Sequence, residues 1–176
     1  MDEEEKEEYE KCFAKGQKLF KKGNWEKALE FFKKSLQLNQ DSWQAWYNTA
    51  LVYYELGDKE RALKCLIKTL DLQPEDVDAL LNLASIHVEK KRYRKAIPYL
   101  TEALTVSEME MDAWMLLGKI LRKLEFPAYA LFSFNQVAEL SEDEDEIKKG
   151  KWLAKKLVNK HPGIKPRDPR EKKNWK

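Results

Sequence analysis

The side chains that most often carry catalysis or bind metals are few in this sequence and widely spaced. There are two histidines, His87 and His161, and two cysteines, Cys12 and Cys65. Neither cysteine belongs to a CxxC pair, and two isolated thiols are typical of packed residues in a reducing compartment. The sequence has no glycine-rich phosphate loop, no histidine or cysteine pair at metal spacing and no nucleophile elbow. We therefore predict a protein that is not an enzyme and uses no cofactor or metal.

A repeat of 34 residues runs through most of the chain. Three residue columns follow this period. The first is alanine, at Ala28, Ala62, Ala96 and Ala130. A small residue precedes each alanine by twelve positions, and a large apolar residue follows it by four: Gly16, Ala50, Ala84 and Gly118, then Phe32, Leu66, Leu100 and Phe134. A fixed period of this size is the signature of a stacked repeat array, in which small residues let two helices approach closely.

These columns resemble the tetratricopeptide repeat family, whose pattern passes from a large residue through Leu-Gly, aromatic residues and two alanines to a closing proline. Residues 43–76 match this pattern best, with Trp46, Ala50, Tyr53, Gly57, Ala62 and Pro74 in register. The other repeats are 9–42, 77–110 and 111–144, of which none keeps the closing proline. The resemblance implies an all-α fold, an α-solenoid of four stacked helix-turn-helix units wound into a right-handed superhelix.

Local patterns agree with helical hairpins. Apolar residues recur at helical spacing within each repeat, and turn residues separate the two helices. Gly23 and Gly57 mark the turns of the first two repeats, whereas Lys91 stands at this place in the third and is less specific. His87 falls in a column that is otherwise filled by Leu19, Tyr53 and Leu121, which predicts a packed core histidine rather than a ligand or base.

Charged segments flank the repeats. Residues 1–8 are acidic and are expected to extend the first helix into solvent. Residues 145–160 are predicted to form an amphipathic helix that caps the last hairpin, because arrays need solubilising ends. A partner-binding or membrane-surface helix is the alternative. Ser141 and Glu144 have capping-box spacing at its start. The predicted apolar stripe of this helix is Ile147, Gly150, Ala154, Leu157 and Val158.

The last segment, residues 161–176, is rich in proline, lysine and arginine. Such a composition resists packing, so we expect a basic tail that is disordered or extended. Trp175 could stack on a base if the tail contacts nucleic acid.

Composition and hydropathy indicate where the protein works. Charged residues make up 36% of the chain and the formal net charge is +2. The acidic start is the opposite of a signal peptide, and no apolar run approaches the roughly 18 residues of a membrane-spanning helix. We therefore expect a cytoplasmic protein that does not use a membrane.

The family resemblance also implies a binding surface. In this family the first helices of the repeats line a concave groove, into which fixed repeat positions face. Several of these positions are aromatic or aliphatic here, where a solvated face would carry lysine and glutamate, and this favours a contact surface. Burial of the same face by curvature or by the terminal segments is the alternative. The groove residues are Phe13, Gln17, Tyr47, Asn48, Leu51, Tyr54, Leu81, Asn82, Ser85, Met115, Lys119 and Arg122.

Asn48 and Asn82 hold the same position in successive repeats. An asparagine offers a donor and an acceptor, so a ladder of them could hold a peptide backbone. The alternative is that this asparagine braces the neighbouring helix. The carboxylate clamp of the family's cochaperones is not reproduced, because only Asn48 matches it and Asp78 places a negative charge where a carboxylate would dock.

These features predict an adaptor or scaffold that binds a peptide or protein segment in the concave groove. Two alternatives stay open. One is a self-assembling structural module, a homo-oligomer formed through its end faces or last helix. The other is an RNA-associated protein that acts through the basic tail.

Overall fold

The computed structural model describes residues 2–172 and residue 175, and these contain no β-strand. The fold is all-α, with helices stacked in pairs as in an α-solenoid. Among the described residues, no helix is both long and apolar enough to cross a membrane. The helices are α1 (Glu3–Lys21), α2 (Trp25–Leu38), α3 (Trp43–Glu55), α4 (Lys59–Leu72), α5 (Val77–Glu89), α6 (Tyr93–Val106), α7 (Met111–Lys123), α8 (Pro127–Leu140) and α9 (Glu144–Lys160), followed by a short 3-10 helix, Pro169–Glu171.

The helices form two compact units, Met1–Ile86 and His87–Lys176, with the boundary inside α5. In the first unit α1 packs against α2, α2 against α3, and α3 against α4. In the second unit α6 packs against α7, α7 against α8, and α8 against α9. Helices that are consecutive in the chain are therefore neighbours in space within each unit, as in other helical repeats.

The turn inside each hairpin has the same backbone conformation in all four repeats. The φ angle is positive at Gly23, Gly57, Lys91 and Glu125, with values of 72°, 79°, 56° and 62°. The next residue donates its N–H to a carbonyl five positions back, for example Asn24 to Leu19 at 3.0 Å, with equivalent bonds of 2.8 Å in the other repeats. These bonds satisfy carbonyls that the helix end leaves without partners. The turn therefore keeps the same backbone conformation in the third and fourth repeats, where Lys91 and Glu125 stand in place of glycine.

The helix pairs approach closely at the small-residue column. A Cβ atom at Gly16 would lie 2.7 Å from Cε1 of Phe32, and one at Gly118 would lie 2.5 Å from Cε1 of Phe134. Both phenylalanines are fully buried. Where alanine holds this position, in the second and third repeats, leucine replaces the phenylalanine. The spacing within a hairpin is therefore set by a matched small and large residue.

The amphipathic helix α9 packs against α8 through a face that includes three residues of the predicted stripe and also Leu153. Its buried residues are Gly150, Leu153, Ala154 and Leu157. Val158, which we predicted on the stripe, is 43% exposed. The four buried residues follow the i, i+3, i+4, i+7 spacing of one helix face. Val158 comes one residue after Leu157 and lies at the edge of that face.

The start of α9 is capped differently from the prediction. The carboxylate of Asp143 accepts hydrogen bonds from the N–H groups of Asp145 and Glu146, both at 2.9 Å. Ser141 instead bonds through its hydroxyl to the Glu146 carboxylate at 2.7 Å. The predicted capping box between Ser141 and Glu144 is wrong, because Asp143 directly precedes the helix and its carboxylate accepts from two amides of the first turn.

Part of the predicted tail, the 3-10 helix Pro169–Glu171, packs against α6 and α8. Pro169 and Trp175 are buried, Trp175 being only 8% exposed. The indole meets the rings of Phe126 and Tyr129 edge-on, with centroid distances of 5.5 and 5.2 Å. Lys172 Nζ lies 4.2 to 5.3 Å from the centroids of these three rings. Lys173, Asn174 and Lys176, also in the predicted tail, lie outside the described residues, as does Met1.

Arg170 makes the second attachment of this segment. Its guanidinium lies 5.2 Å from the Trp114 ring centroid and forms ion pairs with Asp168 and Glu108. These partners raise its pKa above the ordinary arginine value, with the Asp168 hydrogen bond as the largest cause. Composition alone did not predict this packing, because Glu108, Trp114 and the rings that meet Trp175 come close to the tail only in the folded second unit.

Candidate partner-binding surface

The predicted groove residues of the first unit lie on α1, α3 and α5, and all of them are half-buried or exposed. The residues between them, such as Ala50, Val52 and Leu83, form the core. The first helices therefore present a face that hairpin packing leaves open. We call this face the first-helix surface. Its residues are Phe13, Gln17, Tyr47, Asn48, Leu51, Tyr54, Leu81, Asn82 and Ser85.

A hydrogen bond joins two adjacent first helices at the middle of this surface. Asn82 Nδ2 on α5 donates to the Tyr47 hydroxyl on α3 at 3.1 Å and to the Asp78 carbonyl at 2.8 Å. Both amide hydrogens of Asn82 are thus used within the chain. Asn48 Nδ2 donates to the Gln44 carbonyl at 2.8 Å. Asn82 therefore braces neighbouring helices, which is the alternative to a ladder that holds a peptide.

Tyr47 combines an apolar ring with a buried polar end. Burial raises the pKa of Tyr47 to about 12, and the nearby Asp78 carboxylate acts in the same direction, against a smaller lowering by the bond from Asn82. Its phenol is therefore neutral at physiological pH. This side chain holds α3 against α5 and also contributes its ring to the first-helix surface.

The accessible apolar part of the surface lies along α3 and α5. Tyr54 follows Tyr47 by seven residues on the same helix face and is 37% exposed. Leu51 lies between them and, like Leu81 on α5, is half-buried. Lys59 Nζ approaches the Tyr54 ring to 6.0 Å from the centroid. Two leucine side chains beside a partly open aromatic ring are suited to contact a partner's apolar residue.

The α1 part of the surface is less open than the sequence suggests. Phe13 stacks on Tyr9 with a centroid distance of 5.8 Å and meets Phe32 of the core at the same distance. It packs at the edge of the cluster that contains Ala28 and Phe32. Sequence reasoning also missed Tyr9, whose hydroxyl bonds to Ser42 at 2.6 Å and ties α1 to the residue that caps the start of α3. Gln17 is exposed.

In the second unit, one of the three predicted groove residues is buried and the other two are exposed. Met115 is buried, at 7% exposure, so it serves packing instead of an open surface. Lys119 and Arg122 are exposed. Arg122 also lines a cavity of about 590 Å³ whose other residues come from the α7–α8 turn and from α9. Sequence reasoning named no α9 residue as a binding residue, because that helix was assigned to capping and partner binding was kept only as the alternative.

Three of the four residues considered for chemistry have packing roles, and the fourth, His161, lines the cavity beside Arg122. Cys12 and Cys65 are buried free thiols, and burial raises the pKa of Cys65 to about 11. His87 is buried and stacks on Tyr99 with ring centroids 5.7 Å apart. Within residues 2–172 and at residue 175, no group of three or more histidine, cysteine or acidic residues could hold a metal ion.

Several known proteins share this architecture. Solved structures with the same fold include a tetratricopeptide repeat protein from Parabacteroides merdae, 19% identical over 88% of this chain and 61% of that chain, with a TM-score of 0.79. YrrB, described as a TPR protein with an unusual peptide-binding site, is 23% identical over 86% of each chain, with a TM-score of 0.70. The first TPR of Spaghetti (RPAP3), bound to the HSP90 peptide SRMEEVD, is 18% identical over 68% of this chain and 94% of that chain, with a TM-score of 0.64.

Among curated protein sequences, none matches the chain. A family match does exist and covers residues 6–141, most of the helical array. That family is described as the cilia and flagella-associated protein 70 middle TPR-like domain. The four hairpins, their common turn and this match lead to one conclusion: the chain belongs to the tetratricopeptide repeat proteins, within the family of that middle TPR-like domain.

Proposed function

We propose that this chain is a non-enzymatic adaptor that binds a segment of another protein on its first-helix surface. The observation that carries the proposal is the open apolar strip formed by Leu51, Tyr54 and Leu81 beside the braced Tyr47. Apolar and aromatic side chains that packing leaves open on a folded unit mark interaction sites. Because the Tyr47–Asn82 bond fixes α3 against α5, little ordering energy is lost on binding.

The edges of this strip are acidic. Glu55 and Asp78 are exposed beside Tyr54 and Tyr47. Charges at the rim of an interface mainly govern orientation and association rate, whereas buried anchors supply the affinity. We therefore infer that the segment bound here carries an apolar anchor with basic residues next to it. The peptide binding described for YrrB and for the RPAP3 domain gives a precedent within the same fold.

Nucleic-acid binding through the tail is not part of the proposal. Trp175 is buried against Phe126 and Tyr129, and the Arg170 guanidinium is occupied by Asp168 and Glu108. The two side chains best suited to stack on a base or contact phosphates are thus engaged within the chain.

The test compares two variants that remove one exposed apolar side chain each. Tyr54→Ala removes the open ring of the strip, and Ile67→Ala removes a side chain that is 47% exposed on α4. Truncation of an interface anchor commonly costs about 2 kcal/mol or more, so Tyr54→Ala should weaken capture of native partners at least about tenfold. Quantitative pull-downs from native lysate should show no such loss with Ile67→Ala. A Tyr54→Ala variant that keeps every partner while Ile67→Ala loses them would place binding on the second helices.

A further inference from the structure

The second unit contains a cavity that the first-helix surface does not include. It has a volume of about 590 Å³ and lies between the end of α7, the α7–α8 turn and α9. Leu153 and Leu157 line it and are buried at 6% and 3% exposure, and Pro127 is half-buried beside them. These three side chains form an apolar floor that is large enough for a side chain of a bound segment.

The rim of the cavity is strongly positive. Arg122, Lys156 and Lys160 line it and are exposed, and Glu125 is the one acidic residue among the described lining residues. In the part of the chain that the structure describes, no carboxylate forms an ion pair with any of these three cations. By contrast, Lys148 at the start of the same helix pairs with Glu144 at 3.0 Å.

The position of one rim cation is supported by an aromatic ring. Lys156 Nζ lies 4.9 Å from the ring centroid of Trp152, which is itself 58% exposed. A cation over an indole face is held by the ring quadrupole and loses less freedom when an anion binds. Unneutralised cations around an apolar floor favour a ligand that carries negative charge next to an apolar group.

We propose that this cavity binds an acidic segment of a partner protein, in which carboxylates flank one aliphatic or aromatic side chain. The apolar side chain would enter between Leu153, Leu157 and Pro127, and the carboxylates would pair with the rim. The inference rests on the proposed protein-binding function, but not on the first-helix surface. None of the cavity residues holds a position of the cochaperone clamp that the sequence failed to match.

Two other occupants fit the cavity less well. The acidic start of a second copy, residues 2–10, has the right charge, but its one aromatic side chain, Tyr9, is engaged by Phe13 and Ser42 within its own chain. A nucleic acid would satisfy the cations and could place a base against His161, which also lines the cavity, but it offers no aliphatic group to the floor of Leu153, Leu157 and Pro127. The residues around the cavity therefore favour an acidic segment with an apolar anchor.

The experiment measures binding of a fluorescently labelled synthetic peptide by anisotropy. The peptide consists of aspartate and glutamate around a central leucine, and its matched control replaces the acids by asparagine and glutamine. Binding should weaken steeply as salt is raised, because exposed charge pairs are screened. The double substitution Arg122→Gln with Lys160→Gln should weaken it about tenfold, since two interfacial cations are lost.

The control variant carries Lys151→Gln with Lys155→Gln. Both lysines are exposed on α9 and do not line the cavity. Each of the two double variants removes two positive charges, so the net charge changes equally. This variant should bind within about twofold of the wild type, because distant exposed charges contribute little. Circular dichroism and thermal midpoints check that all variants are folded.

Equal binding of the amide peptide, or equal losses in the two double variants, would overturn the proposal. So would displacement of the acidic peptide by poly(U), or tighter binding of a peptide copied from residues 2–10 of this chain. Tyr54→Ala separates this inference from the proposed function. If that variant binds the acidic peptide normally and also keeps its native partners, the first-helix proposal fails while this one stands.

Discussion

The close approach at Gly118 leads to a prediction that tests how the repeat is built. Substituting Gly118→Ala places a Cβ atom 2.5 Å from Cε1 and 2.7 Å from Cδ1 of Phe134. Ordinary carbon contacts are about 3.5–4.0 Å, so the ring must move by roughly 1 Å. Phe134 is fully buried, and its displacement is transmitted to the surrounding core.

Two opposing terms set the magnitude. Alanine is favoured over glycine within a helix by about 0.5–1 kcal/mol. Overpacking of a dense core costs about 1–3 kcal/mol. We therefore expect Gly118→Ala to lower the free energy of unfolding by about 1–2 kcal/mol.

The second and third repeats show how the clash is avoided, because they combine alanine with leucine. Phe134→Leu alone should cost about 1–2 kcal/mol through the space it leaves. The double variant Gly118→Ala with Phe134→Leu should be close to the wild type. A double-mutant cycle, measured by urea unfolding and circular dichroism, should give a coupling of about 2–4 kcal/mol, the sum of the two single losses.

Gly150→Ala is the matched control for this cycle. A Cβ atom there would lie 2.9 Å from the backbone oxygen of Phe134, which a side-chain substitution does not move. Phe134→Leu should therefore fail to rescue Gly150→Ala. A stabilised Gly118→Ala variant, or additive effects in the Gly118–Phe134 cycle, would refute the paired-size explanation.

Three further predictions concern the turns, the tail and pH. Lys91→Gly should raise the free energy of unfolding by about 0.5–1 kcal/mol in urea titrations, because φ is 56° at that residue and glycine relieves the left-handed strain. A destabilised variant would contradict this prediction. Trp175→Ala should lower the thermal midpoint and make the tail sensitive to limited proteolysis, whereas an unchanged digestion pattern would show that the ring cluster does not hold it. The protonated Tyr47 phenol contributes stability below its unfolded pKa of about 10, and this contribution is lost as the pH rises to its folded pKa of about 12. Tyr47→Phe should therefore flatten the alkaline loss of stability in urea titrations. An equally steep loss in the variant would disprove the prediction.

Local features of the sequence were enough to predict the helices and their turns. The spacing of Ala28, Ala62, Ala96 and Ala130 indicated the repeat, because a hairpin that stacks on its neighbours needs small residues at fixed intervals. Helical periodicity then fixed which residues are buried, as with His87. Even the turn at Lys91 follows the period, since the hydrogen bonds that end a helix depend on the backbone and not on the side chain.

The candidate site was only partly predictable. Repeat positions indicated that Leu51, Tyr54 and Leu81 face away from the core, and the structure leaves them half-buried or exposed. They did not reveal that Asn82 bonds to Tyr47, that Phe13 packs on Phe32, or that Met115 is buried. Each of these depends on the neighbouring helix, whose side chains a single repeat position does not specify.

The ends of the chain were decided by tertiary structure. Arg170 meets Glu108 across 62 positions of sequence, and Arg94 donates to the Trp175 carbonyl across 81 positions at 3.3 Å. Composition describes what a segment can bury by itself, and the basic tail buries little. The rings of Phe126 and Tyr129 on the folded second unit supply what the tail lacks, so its order follows from a surface that exists only after the helices have packed.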